Sequence, residues 1–209
     1  MNSHSAAPLE KVAEADFPTE FGAFRIYGFR GGDREPADGG REEAVALKMG
    51  DLAGEPPLVR IHSQCLTGDV FGSLRCDCRL QLEMALGQIA EEGAGILLYE
   101  QQEGRGIGLM AKLKAYELQD QGMDTVEANV ELGFAPDCRA YELPAEVLKL
   151  MGVAQVKLMT NNPEKVAALE SAGISVVERV SAEVEPQESF ERYLRTKHDK
   201  MGHILESSL

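Results

Sequence analysis

Three cysteines that lie close together in the sequence are the residues best suited to chemistry: Cys65, Cys76 and Cys78. Thiolates are soft ligands that suit Zn²⁺, and three protein ligands leave a fourth position of the metal open to water. Zinc lowers the pKa of such a water towards neutrality, which supplies a nucleophile for hydrolysis. Cys76 and Cys78 also stand at the start of a predicted helix, whose N-terminal dipole favours thiolates. We therefore predict a catalytic zinc site.

Other interpretations of these cysteines stay open. Buried cysteines behave as small hydrophobic residues, so all three could simply belong to the core. Cys138 could instead supply a fourth thiolate and close a structural site, because the last ligand of such a site commonly comes from far along the chain. His62 precedes Cys65 by three residues and could bind the metal or face a substrate.

Two junctions between a predicted strand and a helix could bind anions. Residues 103–108 (EGRGIG) are rich in glycine, and residues 160–165 (TNNPEK) combine a hydroxyl, capping amides and Lys165. Glycines let a ligand approach the backbone, and helix N-termini bind anions through free N–H groups. An ordinary turn and an ordinary helix cap would look similar. Asp137 and Arg139 could likewise serve proton transfer and phosphate binding, or form a surface ion pair.

The hydrophobic pattern predicts the elements that must position these residues. Strands are expected at residues 23–29, 44–48, 58–62, 95–101, 155–159 and 174–180. Helices are expected from Leu82 to about Gly93, through residues 109–116, from Pro163 to just before Gly173, and over residues 190–201.

Alternation of strands and helices favours an α/β fold of three layers, with a largely parallel or mixed sheet flanked by helices. The strand-rich N-terminal part should extend or cap that sheet. We expect residues 1–8 to be a flexible tail, residues 31–41 an exposed loop, and residues 9–209 a single domain.

Composition narrows the function. The chain has 209 residues, of which 44% are hydrophobic and 27% charged, as in folded proteins, and its net charge is −14. Such an acidic excess repels nucleic acid, so a phosphorylated ligand would need a local cluster of cations. Neither a signal peptide nor a membrane span is expected, and the prediction is a cytoplasmic protein that binds no membrane.

Five segments together resemble the signatures of the GTP cyclohydrolase II family, in the order of that family. They are residues 60–69 (RIHSQCLTGD), 73–78 (SLRCDC), 102–109 (QEGRGIGL), 124–129 (DTVEAN) and 160–163 (TNNP). The similarity covers roughly residues 9–205.

The resemblance implies zinc-dependent hydrolysis of GTP that opens the imidazole ring, the first step of riboflavin biosynthesis. The products would be 2,5-diamino-6-(5-phosphoribosylamino)pyrimidin-4(3H)-one, formate and diphosphate. It also implies one Zn²⁺ per subunit, Mg²⁺ bound with the triphosphate, and a homodimer. No room is left for the butanone-phosphate synthase domain to which some members are fused, so we expect a monofunctional enzyme.

Residue roles follow from the matched positions. Cys65, Cys76 and Cys78 would bind zinc, Asp137 would be the general base, and Tyr116 would help to complete ring opening. Arg139 matches an arginine proposed as a nucleophile at the α-phosphate, although its high pKa favours transition-state stabilisation instead. The nucleotide contacts would be Arg60, Ile61, His62, Ser63, Gln64, Gln81, Glu103, Gly104, Arg105, Thr125, Thr160 and Lys165.

Three positions depart from the family pattern. Gln64 stands where glutamate is common, Arg79 where glycine is common, and Cys138 lies inside the Asp-x-Arg triplet. Two alternative functions are therefore kept. One is a relative that stops at the formylated pyrimidine or acts on another nucleotide, and the other is a non-catalytic nucleotide-binding or structural zinc protein.

Overall fold

A seven-stranded mixed sheet organises the computed structural model, which describes residues 8–31 and 42–205. The strands are β1 (Glu10–Thr19), β2 (Gly22–Arg30), β3 (Glu43–Met49), β4 (Leu58–Ser63), β5 (Gly95–Glu100), β6 (Gln155–Met159) and β7 (Ser175–Val180). The helices are α1 (Leu66–Asp69), α2 (Cys78–Glu92), α3 (Leu109–Asp120), α4 (Thr125–Glu131), α5 (Glu142–Leu150), α6 (Pro163–Ser171) and α7 (Glu191–Met201). The predicted tail at residues 1–8 lies outside the described residues except for Pro8. The predicted loop at residues 31–41 lies outside them except for Gly31.

The sheet has the order β1-β2-β3-β5-β4-β6-β7. Strands β1, β2, β3 and β5 pair antiparallel, whereas β5, β4, β6 and β7 pair parallel. The strand-rich N-terminal part thus extends a parallel sheet, and the predicted α/β class with a mixed sheet is confirmed.

Both faces of the central strands are buried, because helices cover each side. Val59 and Ile61 of β4 join α5 and α6 in one hydrophobic cluster, while Leu58 packs with α2 in the other. Successive side chains of a strand point to opposite faces, so the layers are α5 and α6, the sheet, and α2. The predicted three-layer arrangement is therefore confirmed.

Helix boundaries follow the predicted signals. Asn162 caps α6 by accepting a hydrogen bond from the Glu164 N–H at 3.0 Å, and Pro163 occupies its first position. Gly173 follows the end of this helix with a φ of +83°, a conformation that other residues rarely adopt. Within the described residues, no helix combines the length and the apolar character needed to cross a membrane.

Some elements differ from the prediction. Strand β1 was not predicted, because its side chains are exposed along almost its whole length and show no buried face. Helix α3 turns Lys112 and Ala115 inward, whereas Leu113 is 41% exposed. The inward side of this helix thus includes a charged residue, which an apolar pattern does not predict.

Candidate metal and anion site

The segments that carry the predicted site residues meet at the carboxyl ends of the parallel strands. Cys65 follows β4, Glu103 follows β5, and Thr160 follows β6. Open α/β sheets place their ligands at this edge, because the loops after neighbouring parallel strands converge there. The topology thus brings together motifs that lie far apart in the sequence.

The three clustered cysteines converge on one point. Their sulfur atoms all lie within 4.8 Å of one another, and Cys65 Sγ lies 3.7 Å from Cys76 Sγ. Gly68 of α1 faces this group so closely that an added Cβ would lie 3.0 Å from Cys76 Sγ and 3.1 Å from Cys65 Sγ. Three soft donors around a recess that only glycine leaves open fit a metal ion such as Zn²⁺.

The other sequence-predicted donors lie outside this group. Cys138 Sγ contacts the Ala135 carbonyl at 3.8 Å, and it does not join the cluster of three sulfurs. His62 directs Nε2 to Asp69 at 3.1 Å. In the described part of the chain the cluster therefore has three members, which leaves a coordination position for water or substrate.

The side chain of Lys112 places an ammonium group beside the cysteine cluster, and the sequence analysis did not predict this contact. Its Nζ donates hydrogen bonds to Cys65 Sγ at 3.1 Å, Thr67 Oγ1 at 2.9 Å and Glu103 Oε1 at 2.7 Å. Hydrogen bonds with Cys76 and Cys78 lower the pKa of Cys65, and the charge of Lys112 lowers it further. A lysine on an amphipathic helix is usually solvated, so the sequence of α3 gave no indication that Lys112 would be buried.

Asp69 fixes the loop that carries Cys65. Its carboxylate accepts hydrogen bonds from the Cys65 N–H at 3.0 Å and the Tyr99 hydroxyl at 2.9 Å, and it pairs with His62. The His62 ring also stacks on Tyr99 with centroids 5.5 Å apart. Burial lowers the pKa of His62, so its ring is held neutral and oriented.

The glycine-rich segment adopts a strained turn. Arg105 has a φ of +62° and is the one non-glycine residue with positive φ in the described ranges. An added Cβ on Gly106 would lie 2.8 Å from the Cys138 carbonyl oxygen, and the Cys138 N–H donates to the Arg105 carbonyl at 3.0 Å. This backbone contact, which depends on glycine, places Arg105 beside the loop that carries Arg139.

Asp137 and Arg139 form a largely buried pair rather than a surface one. Arg139 Nε donates to both carboxylate oxygens at 2.9 and 3.1 Å, and the side chains are only 14% and 16% exposed. Although burial alone would raise the pKa of Asp137, its hydrogen bonds and charge interaction with Arg139 lower it. The carboxylate of Asp137 is therefore ionised, and both its oxygens accept hydrogen bonds from the guanidinium of Arg139.

Two adjoining cavities open at this edge of the sheet. The cysteine cavity is lined by the three cysteines together with Ser63, Gln64, Arg75, Gln102, Glu103, Gly104, Arg105, Ile107, Lys112, Ala115, Tyr116, Gln119, Thr125, Asn129, Arg139 and Tyr193. The cation cavity is lined by Arg60, His62, Ser63, Cys78, Gln81, Arg105, Arg139, Thr160, Asn161, Asn162, Lys165, Ala182, Tyr193, Lys197, Met201 and His203. They share Ser63, Cys78, Arg105, Arg139 and Tyr193, so one extended ligand could occupy both.

The wall of the cation cavity contains buried nitrogen atoms without partners among the described residues. Among the described residues, four buried side-chain nitrogen atoms lack a hydrogen-bond partner, and all four belong to residues of its wall. They are Arg60 Nε, His62 Nδ1, Arg105 Nη1 and His203 Nε2. Buried polar atoms are ordinarily paired, so the two arginine donors, Arg60 Nε and Arg105 Nη1, mark a place suited to an anionic ligand.

The predicted nucleotide contacts take different positions. Gln81 donates to Asp77 Oδ2 at 2.6 Å and accepts from Arg60 at 2.6 Å, which links the cysteine loop to the cation cavity. The Ile61 side chain lies in the core, and its carbonyl accepts from Lys165 Nζ at 2.8 Å. Arg79 is exposed and pairs with Glu83, and this departure from the family pattern lines neither cavity.

These features define an α/β protein with a candidate three-cysteine metal site beside a cavity suited to a polyanion. A family model described as GTP cyclohydrolase II matches residues 10–181. The chain therefore belongs to the GTP cyclohydrolase II family.

Individual relatives agree with this assignment. The chain is 57% identical over 198 residues to GTP cyclohydrolase-2 of Enterobacter sp. (strain 638), which covers 94% of this chain and 98% of the relative. It is 53% identical over 201 residues to GTP cyclohydrolase-2 of Haemophilus influenzae (strain PittGG), covering 95% and 90%. Riboflavin biosynthesis protein RibBA of Bacillus subtilis (strain 168) is 54% identical over 199 residues, 94% of this chain and 48% of that protein. The chain thus spans about half the length of this longer relative.

Proposed function

We propose that the chain hydrolyses GTP with opening of the imidazole ring, giving 2,5-diamino-6-(5-phosphoribosylamino)pyrimidin-4(3H)-one, formate and diphosphate. This would be the first step of riboflavin biosynthesis. The observation that carries the proposal is the junction of the two cavities. A three-sulfur recess adjoins a wall in which Arg60 and Arg105 have unpartnered buried donors, as a reaction at the base of a triphosphate nucleotide requires.

Cys65, Cys76 and Cys78 would hold one Zn²⁺ per subunit, and the ion would supply Lewis-acid activation of water near neutral pH. The Lys112 ammonium would offset part of the negative charge of the three thiolates, since its Nζ lies 3.1 Å from Cys65 Sγ. Asp69 would keep Cys65 in place through the backbone N–H. Mg²⁺ would accompany the triphosphate.

Asp137 is assigned as general base and Arg139 as the group that stabilises charge at the α-phosphate. In the structure the two side chains are paired with each other, which lowers the pKa of Asp137. A phosphate group that draws Arg139 towards the cation cavity would release the carboxylate and raise its proton affinity. Substrate binding would thereby prepare the base, and Arg139 would act by electrostatic stabilisation rather than as a nucleophile.

Tyr116 lies in the wall of the cysteine cavity. Its hydroxyl is 3.1 Å from Thr67 Oγ1, and burial raises the pKa of the phenol. A neutral phenol can donate a hydrogen bond to the opening ring, which fits a role in completing the second hydrolysis. On the other wall, Arg105 donates to Thr125 Oγ1 at 3.0 Å, and both would contact the nucleotide.

Residues 9–209 are proposed to act as one domain, as a cytoplasmic homodimer. Large apolar side chains exposed in the loop after α1 support a second copy, because Phe71 is 73% and Leu74 67% exposed. A reducing compartment would keep the ligand thiols available for metal.

The test is to incubate the zinc-loaded protein with GTP and Mg²⁺ and to measure formate, diphosphate and the diaminopyrimidine together. Equal amounts of all three products are expected. Asp137→Asn should lower turnover by at least about a hundredfold while the protein still binds GTP, since one acid–base group commonly contributes that much. Glu117→Gln, an exposed change on α3, is the matched control.

Two results would contradict the proposal. Diphosphate without formate would indicate a relative that does not complete ring opening. Binding of GTP without any product, in protein shown to contain one zinc per chain, would indicate a non-catalytic nucleotide-binding protein.

A further inference from the structure

Helix α7 and the residues after it form one wall of the cation cavity. Tyr193, Lys197 and His203 all line it, and Tyr193 also lines the cysteine cavity. These residues lie beyond residue 181, where the match to the family model ends. The segment therefore contributes to the site without belonging to the matched motifs.

The wall is held in place by packing and hydrogen bonds. Phe190 and Leu194 are 2% and 5% exposed, so the start of α7 is anchored in apolar surroundings. After the helix, the Ile204 N–H donates to the Asn161 carbonyl at 2.9 Å, which ties the following residues to the loop after β6. Both ends of the segment are thus fixed next to the cavity.

Two cationic or donor groups of this wall face the cavity. Lys197 Nζ lies 2.8 Å from Asp77 Oδ1 and 4.4 Å from the centre of the Tyr193 ring, with the lysine side chain 12% exposed. His203 Nε2 is buried and has no hydrogen-bond partner in the described part of the chain. A lysine ammonium has three donor protons, so Lys197 can keep Asp77 and still donate to a ligand.

We propose that Lys197 and His203 bind the phosphate groups of the polyphosphate ligand, completing the site from the C-terminal side. This inference rests on the proposed function, because it adds residues to the same nucleotide site. The charge of a triphosphate requires several convergent donors, and these two residues line the same cavity as Lys165. The Nε2 atom without a partner is the observation that distinguishes a ligand contact from simple packing.

A purely structural role for Lys197 must be separated from this proposal, since Asp77 lies between two of the candidate zinc ligands. The His203 variant separates the two roles, because His203 Nε2 has no hydrogen-bond partner within residues 8–31 and 42–205. Zinc content measured on each variant reports damage to the cysteine loop independently of phosphate binding.

The experiment measures, by titration calorimetry on zinc-loaded protein, the affinities for inorganic tripolyphosphate, GTP and GMP. Lys197→Ala and His203→Ala should each weaken tripolyphosphate and GTP binding by about tenfold or more and affect GMP much less, since each removes a hydrogen bond to a charged group. Arg195→Ala and His198→Ala are the matched controls on the exposed side of α7.

Wild-type affinity for tripolyphosphate in both cavity variants would overturn the inference, and so would equal losses in the controls. Loss in Lys197→Ala alone, accompanied by loss of zinc, would also overturn it in favour of a structural role. The binding readout does not need turnover. If the protein binds tripolyphosphate through these residues but releases no formate, the proposed function fails and this inference stands.

Discussion

Glu100 shows how a single buried side chain responds to the site around it. It ends β5, is 1% exposed, and accepts a hydrogen bond from Gln102 at 3.0 Å. Burial raises the pKa of Glu100 to about 7, although the charges of Lys165 and Arg139 partly oppose the rise. Its charge is therefore set near neutral pH by burial, against which two cations of the cation cavity act.

This shift predicts a pH-dependent effect on stability. The folded value of about 7 lies above the usual 4.5, so the folded protein binds more protons between these values and loses stability as pH rises through them. Glu100→Gln imitates the protonated form and should raise the free energy of unfolding by about 2–3 kcal/mol at pH 8.

The gain should largely disappear near pH 4.5. Urea unfolding at both pH values would measure it, with the exposed Glu117→Gln as control. A gain of equal size at both pH values would show that the effect is one of packing rather than of charge.

Among the elements, the short helix α1 has the most direct effect on the metal site. It follows Cys65 without a break, and Gly68 within it is packed against all three cysteines. The sulfur recess therefore depends on the backbone of one helical turn approaching the ligands closely. A side chain at this position would push at least one sulfur away.

Gly68→Ala should therefore weaken zinc binding by about tenfold or more while leaving the fold intact, as changes beside metal ligands commonly do. Competition for zinc with a chromophoric chelator gives the affinity, and circular dichroism reports the fold. Gly87→Ala in α2 is the control, because an added Cβ there meets nothing within 4 Å. Unchanged zinc affinity in Gly68→Ala would show that the recess is not the metal site.

Sequence reasoning identified the elements with strong local signals. The caps of α6 and the buried strands β4 to β6 follow directly from Asn162, Gly173 and continuous apolar runs. It did not find β1, which buries no face, or the contacts of Lys112 and His203. Such contacts depend on tertiary geometry, since nothing in the local pattern of a lysine or histidine shows what the fold places beside it.

Across the whole molecule, the cysteine cluster joins the end of the central strand β4 to the start of α2. A metal bound there would link the sheet to its covering layer and stabilise the folded protein by mass action. Each tenfold rise in free zinc above the dissociation constant should then add about 1.4 kcal/mol to the free energy of unfolding.

Thermal unfolding at buffered zinc concentrations measures this dependence, and the melting temperature should fall when a chelator is present. Cys138→Ser should keep the zinc dependence and Cys76→Ser should lose it, because Cys138 lies outside the sulfur cluster. Loss of the dependence in Cys138→Ser would instead support a closed four-cysteine site.

The ion pairs of Arg139 with Asp137 and of Lys197 with Asp77 mean that the protein carries its own counterions. A polyphosphate that enters the site competes with these internal carboxylates for Arg139 and Lys197. Binding then exchanges one set of ion pairs for another rather than neutralising unpaired positive charge. Its affinity would then be lower than the number of cations alone suggests, which favours release of the charged products.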